Sequence, residues 1–368
     1  MNYISLYPKS VGIYITILFI CLIFASLASR NKNSNKRFNI WVMLIIIVLS
    51  VFAGIRGETV GIDVQHYIVR HIEPIRDGMF SNVNQPIGFK ILVRLVYMFT
   101  DKTYMVFMCF AFITHGLIIK RLWDFRNKAS FPMMIFYYYC YYYLITFNVF
   151  RQFIAIAIVF FATRFLEKKE YIKYCLGVAS AMTIHSISIL GFVLLPIEIL
   201  LSNADKKQRK IRTIFLLASP ILIFIVAILL FKFFDFDHYI NLYLIYNTGS
   251  LGFMIPTKIA ISILMYWILK HDYYIKHNIT MEINELRKTF ITYFIGLITA
   301  LLVILSSFAD RFAWYFLIWE PIFMSYKIRK KDYRVLMNSV FIILSLYTLY
   351  ISLNNSGQGI MPYVTIWQ

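Results

Sequence analysis

Apolar runs about as long as one membrane crossing recur along the chain, separated by short polar stretches rich in Lys and Arg. A helix needs about 20 apolar residues to cross the hydrocarbon core, so the runs predict spanning helices and the polar stretches predict loops. Lys and Arg collect in six places: Arg30 to Arg37, Lys120 to Lys128, Arg164 to Lys173, Lys206 to Arg212, Lys270 to Lys288, and Lys327 to Arg334. Together these hold 26 of the 37 basic residues. The positive-inside rule places them in the cytoplasm, and every segment between two of them then crosses the membrane an even number of times.

That parity predicts the turns on the opposite side. The chain leaves through about residues 40–55, makes a polar outer loop including Arg56 to Asp77, and returns through about 104–120. The apolar stretch 87–100 is short and carries Lys90 and Arg94, which predicts an interfacial or re-entrant helix on the outer side. Ala129 to Phe165 is nearly two spans long, and its midpoint falls on Asn148-Val149-Phe150-Arg151-Gln152. Tyr174 to Ser202 predicts two short helices or a re-entrant hairpin with His185-Ser186 near the turn. Residues 212–270 pair around an outer loop, Asp235 to Ser250, and residues 289–326 pair around Asp310-Arg311. A last span over about 334–353 leaves the tail Asn354 to Gln368 outside. The expectation is an all-α, polytopic membrane protein with about twelve transmembrane helices, plus short re-entrant or interfacial helices, forming one domain over residues 1–368.

Composition agrees with lipid as the solvent. Hydrophobic residues make up 60% of the chain and charged residues 15%, against about a quarter charged in soluble domains. The excess of 19 positive charges lies in short loop clusters and forms no stripe or tail, so it reads as topology, with no nucleic-acid partner. Cys21, Cys109, Cys140 and Cys175 lie inside apolar runs without metal-type spacing and read as packing residues. Met1 to Ser10 do not form the n-region of a signal peptide, so the first apolar segment is expected to stay in the chain. In Phe136-Tyr137-Tyr138-Tyr139-Cys140-Tyr141-Tyr142-Tyr143 several phenols must find partners in the bundle or face a polar cavity. Sugar contact and plain packing are equally good readings of that run.

The charged groups that loop solvation does not explain gather at outer helix ends: Arg56, Asp63, Arg151, His185, Asp310 and Arg311. Ionisable groups at membrane depth are costly and pair, line a wet cavity or bind a charged ligand. Asn148, Arg151 and Gln152 have helical spacing that groups two amides with a guanidinium, and Arg suits bidentate phosphate contacts. Each arginine alone could equally snorkel to lipid headgroups. Asp63, His66, Tyr67 and Arg70 share one helical face, as a polar acceptor surface or a solvated loop helix. His185 has an ordinary pKa near 6.5 suited to proton transfer, or is a histidine satisfied within the bundle. Asp235-Phe236-Asp237 is a weak D-x-D pattern read as a solvated loop, and Glu320-Pro321 reads as a packed, protonated Glu at a kink.

The residues together resemble the EpsG-like and Wzy-type polymerases of bacterial O-antigen, capsule and exopolysaccharide. The resemblance runs through Gly54-Ile55-Arg56, Gly61-Ile62-Asp63 with Tyr67, Asn148-Val149-Phe150-Arg151-Gln152 with Ala155, His185-Ser186, Ala309-Asp310-Arg311 with Tyr315, and Pro362-Tyr363. It implies a metal-independent glycosyltransferase, without cofactor, in the bacterial cytoplasmic membrane with its site on the extracytoplasmic face. The growing glycan would pass from undecaprenyl pyrophosphate to a lipid-linked repeat unit. His185 or Asp63 would act as base, with Arg151, Arg311 and Arg56 on the pyrophosphate, and Tyr67, Asn148, Gln152 and Asp310 as further substrate contacts. The lipid bilayer, lipid-linked oligosaccharides and a chain-length regulator protein are the implied partners. A flippase of lipid-linked oligosaccharide, with Glu320 coupling protons, and an O-antigen ligase are the competing readings. No related halves favour the former, and the late outer loop, about residues 233–252, is short for the latter.

Overall fold

A computed structural model describes residues 3–30, 39–202, 212, 254–274, 280–304, 309–328, 331–354 and 359–368. The helices are α1 (Tyr3–Leu6), α2 (Pro8–Arg30), α3 (Ile40–Gly54), α4 (Ile62–Tyr67), α5 (Glu73–Arg76), α6 (Ile87–Tyr97), α7 (Thr103–Asp124) and α8 (Phe131–Tyr138). They continue with α9 (Phe150–Glu167), α10 (Tyr171–Met182), α11 (Leu194–Ser202), α12 (Met254–Tyr274), α13 (Thr280–Leu301), α14 (Ala309–Leu317), α15 (Glu320–Met324) and α16 (Lys331–Asn354). Among the described residues there is no strand, only the isolated bridges Arg56 to Thr365 and Ala129 to Tyr326. The expected outer loop 235–250, with Asp235 and Asp237, and the basic residues Lys206 to Lys210 lie outside the described residues.

Three described helices, α2, α7 and α16, are long and apolar enough to cross a membrane, and α3 and the stretch Ser186–Leu201 are shorter apolar helices. In α3 the Asn39 side chain accepts from the Trp41 amide at 3.0 Å, satisfying one of the amides that a helix start leaves open. At its far end α9 closes with a Schellman motif, Glu170 N–H donating to Phe165 O at 2.8 Å and Lys169 N–H to Leu166 O at 2.9 Å. The left-handed position falls on Lys169, at φ 60°.

The basic stretches meet at one end of the bundle. Arg121, buried against Thr163, pairs with Glu167, and Arg164 reaches Asp124 at 3.3 Å. Lys128 pairs with Glu285, Lys288 with Glu198, and the Lys327 ammonium donates to Arg126 O at 3.1 Å. Four of the six predicted cytoplasmic clusters thus share one end, as the parity of crossings requires.

The breaks between helices gather away from it. Asn148 and Val149 separate a short 3-10 turn from α9, residues 183–185 separate α10 from the 3-10 helix Ser186–Val193, and Asp310 lies in the first turn of α14. α6 presents Ile87, Ile91 and Leu95 outward, followed by exposed Met98 and Phe99, while Lys90 and Arg94 turn back to Phe80 O and Ile75 O. An exposed apolar stripe on a short helix is the pattern of an interfacial helix. Gly88 lets α6 touch the 183–185 break: its N–H donates to Thr183 O at 2.7 Å, and a Cβ there would stand 2.3 Å from Thr183 Oγ1.

The tyrosine run is core. Tyr137 to Tyr143 are all buried, because Tyr139–Tyr143 form a π-turn and other elements close around it. Tyr139 donates to Tyr14 O at 2.7 Å, Tyr143 to Leu49 O at 2.9 Å, and Tyr138 bonds His115 Nδ1 at 2.8 Å. Of the two readings offered by the sequence, packing is the one observed for these rings.

Candidate functional site

The sequence-selected residues fall into three places. The first is a cluster at the starts of α9 and α14. Arg151 is the second residue of α9; its guanidinium lies 5.8 Å from the Tyr67 ring and 5.9 Å from the Phe89 ring, and its buried Nε has no hydrogen-bond partner. Arg311, exposed, is the third residue of α14. Gln152, 1% exposed, ties the two helix starts together by donating from Nε2 to Arg311 O at 2.6 Å. A cation near a helix N-terminus opposes the macrodipole, at a cost of about 0.3–1 kcal/mol each. Two arginines at adjoining helix starts, each feeling the other's charge, are poor for helix stability and suited to holding an anion.

His185 joins this cluster from the 183–185 break. It is 8% exposed and its Nδ1 is buried without a partner. Burial, aided by Arg151 and Arg311, holds its imidazole down at about 4, so the ring is neutral at physiological pH. Ser188 fixes the turn by donating from Oγ to His185 O at 2.6 Å and also lies 3.0 Å from the Tyr315 hydroxyl.

Tyr67 packs edge-on against Phe150, with ring centroids 5.0 Å apart. The helical face that should have carried Asp63, His66, Tyr67 and Arg70 is split, because Ile68–Ile72 form a π-turn. A π-turn takes an extra residue per turn, so His71 replaces Arg70 beside Tyr67, 5.0 Å between rings. Burial, followed by Arg151, lowers the His71 pKa, and its Nε2 lies 3.1 Å from Gln85 Nε2. His66 and Arg70 are exposed.

The second place is a cavity of about 420 Å³ whose polar lining is Asp63, Asn148, Lys258 and Asp310, with Trp314 among its apolar walls. Asn148 therefore faces a different space from Arg151, although the two are neighbours in sequence. Gly61, at φ 107°, brings the Asp63 segment against it, and a Cβ on Gly61 would stand 2.9 Å from Asn148 Oδ1. Burial raises the Asp310 carboxyl to about 6. Lys258, which composition alone did not distinguish, pairs at 2.7 Å with Glu320. Glu320 accepts from Tyr142 at 2.7 Å and Tyr293 at 3.0 Å, so the packed Glu read from the sequence has three partners.

Arg56 occupies the third place. It is 5% exposed, donates to Ala53 O and, at 3.0 Å, to Phe147 O, and sits between the Phe107 and Phe147 rings at 5.0 and 4.8 Å. Residues 359–368 strap this corner: Gly57 N–H donates to Val364 O at 2.9 Å, Gly61 N–H to Gly359 O at 2.8 Å, and the Tyr363 hydroxyl to Phe52 O at 2.8 Å. Arg56 lines a separate cavity of about 830 Å³, away from the Arg151 cluster.

Residues 39–365 match the EpsG family. No curated protein and no solved structure matches the chain.

Proposed function

The chain belongs to the EpsG family, and from that premise we propose that this membrane protein is a polysaccharide polymerase. It transfers a growing glycan from undecaprenyl pyrophosphate to a lipid-linked repeat unit at the extracytoplasmic face of the bacterial cytoplasmic membrane. The observation that carries the reading is the pairing of Arg151 and Arg311 at two adjoining helix starts, tied together by Gln152. Both charges oppose the local helix dipoles, and a diphosphate between them removes that cost.

In the proposed step an acceptor hydroxyl oxygen forms the new bond to the anomeric carbon of the donor glycan. The anomeric carbon–oxygen bond to the diphosphate breaks, and its electron pair leaves with undecaprenyl pyrophosphate, held by Arg151 and Arg311. Preorganised cations at a developing phosphate charge are the usual means of lowering such a barrier. The hydroxyl proton passes to Asp63 or His185. A neutral imidazole is in the correct form for a base, but a conjugate acid near 4 gives little driving force. Tyr67, Asn148 and Asp310 contact substrate. Gln152 positions Arg311, and Arg56 positions the outer loop through its bonds to Ala53 and Phe147. The family range and the apolar helices support a multi-pass arrangement, for which we propose about twelve spans with α6 lying in the outer interface and a chain-length regulator as partner.

The test is the size distribution of surface polysaccharide in cells lacking the gene, complemented with wild type or with Arg151→Ala. Single repeat units in place of long chains with Arg151→Ala support the polymerase. Loss of all extracytoplasmic glycan, with lipid-linked repeats retained inside, supports a flippase instead.

A further inference from the structure

The cavity of about 420 Å³ is in the size range of small-molecule sites, and its wall chemistry is uneven. Of its ionisable groups, Lys258 is already spent: its ammonium lies 2.7 Å from Glu320 and 3.7 Å from the Tyr141 ring centroid. Arg311 follows Asp310 in sequence but is exposed and does not line the cavity. The other polar groups lining the space are two carboxylates, Asp63 and Asp310, one amide, Asn148, and the indole of Trp314. Carboxylates and amides bond sugar hydroxyls well, and an aromatic wall suits the apolar face of a pyranose. The same two carboxylates repel an acidic ligand.

We infer that this cavity is the sugar subsite of the protein and that it takes uncharged pyranosides while rejecting uronic acids. The choice of a sugar as ligand rests on the glycan-transfer reading. The division of labour is then spatial: the arginine pair at the α9 and α14 starts takes the diphosphate, and the carboxylate-lined cavity takes the saccharide. Asp310 is ionised for the most part at pH 7 even with its carboxyl raised to about 6, so its repelling charge is present under working conditions. Exclusion by like charge is a common route to specificity.

The experiment uses the purified full chain in lipid nanodiscs and saturation-transfer NMR with methyl α-glucopyranoside, N-acetylglucosamine and glucuronate as probes. The expected result is binding of the two uncharged sugars and at least roughly tenfold weaker binding of glucuronate. Asp310→Asn narrows that gap and Asn148→Asp widens it; two variants of opposite sign keep the test readable if one misfolds. Equal or tighter binding of glucuronate by the wild type overturns the inference, as does absence of sugar binding in a folded preparation, whether or not that preparation polymerises. Sugar binding with the expected selectivity in a chain that makes no polymer from lipid-linked repeats leaves the subsite standing and removes the polymerase reading.

Discussion

Replacing Lys258 by Met strands Glu320, and the structure fixes how much that costs. Glu320 is 1% exposed on its side chain, so its charge cannot recover water by a small movement. Removing one partner of such a buried pair costs about 3–5 kcal/mol. Tyr142 and Tyr293 still donate to Glu320, which places Lys258→Met toward the lower end, about 3 kcal/mol. Removing the carboxylate charge as well, in Lys258→Met/Glu320→Gln, leaves no buried ion and keeps an amide within reach of both phenols. Its cost is about 1 kcal/mol, so the double variant is about 2 kcal/mol more stable than Lys258→Met alone. The assay is equilibrium unfolding of the full chain by SDS in mixed micelles, with tryptophan fluorescence as the readout. A loss below about 1 kcal/mol for Lys258→Met, or a double variant less stable than the single one, would refute the assignment of Lys258 and Glu320 as a closed pair. It would also return the Lys258 charge to the cavity, removing the ground for excluding acidic sugars.

Other expectations follow from the same geometry. Arg151→Ala should lower the polymerisation rate by about 10²–10³, and Arg151→Lys should already cost most of that because an ammonium lacks the bidentate fork; single-turnover rates on lipid-linked repeats measure both. If ionised Asp310 is required, the rate rises with pH through about 6, and Asp310→Asn abolishes that inflection. His185, held at about 4, contributes none between pH 6 and 8, so an inflection there that vanishes in His185→Gln contradicts its placement. Lys169→Gly relieves the left-handed residue closing α9 and should stabilise the chain by about 1 kcal/mol, at unchanged activity, read from the same SDS titration.

The turns were legible in the sequence because charge bias and parity leave few places for them. Asn148-Val149, His185 and Asp310 all fall at helix breaks or first turns, and the stretch holding Lys90 and Arg94 forms the short helix α6. Local register was not legible. The π-turn at Ile68–Ile72 trades Arg70 for His71 beside Tyr67, and no residue in that stretch signals a five-residue turn. Partners distant in sequence were equally hidden: Lys258 and Glu320 lie on separate helices, and nothing in either segment names the other. Arg56 shares its residue type and outer position with Arg151, yet two carbonyls and two phenyl rings occupy it, a distinction that only tertiary packing makes.

In the proposed reaction the arginine pair assists glycan transfer between lipid carriers. The most direct measurement is incubation of purified chain in liposomes with lipid-linked repeat units, followed by separation of products by size. Wild type is expected to give a ladder of glycans on lipid, with free undecaprenyl pyrophosphate released in step with each bond formed, and Arg151→Ala to lose both. Repeat units that cross the bilayer without lengthening would contradict it.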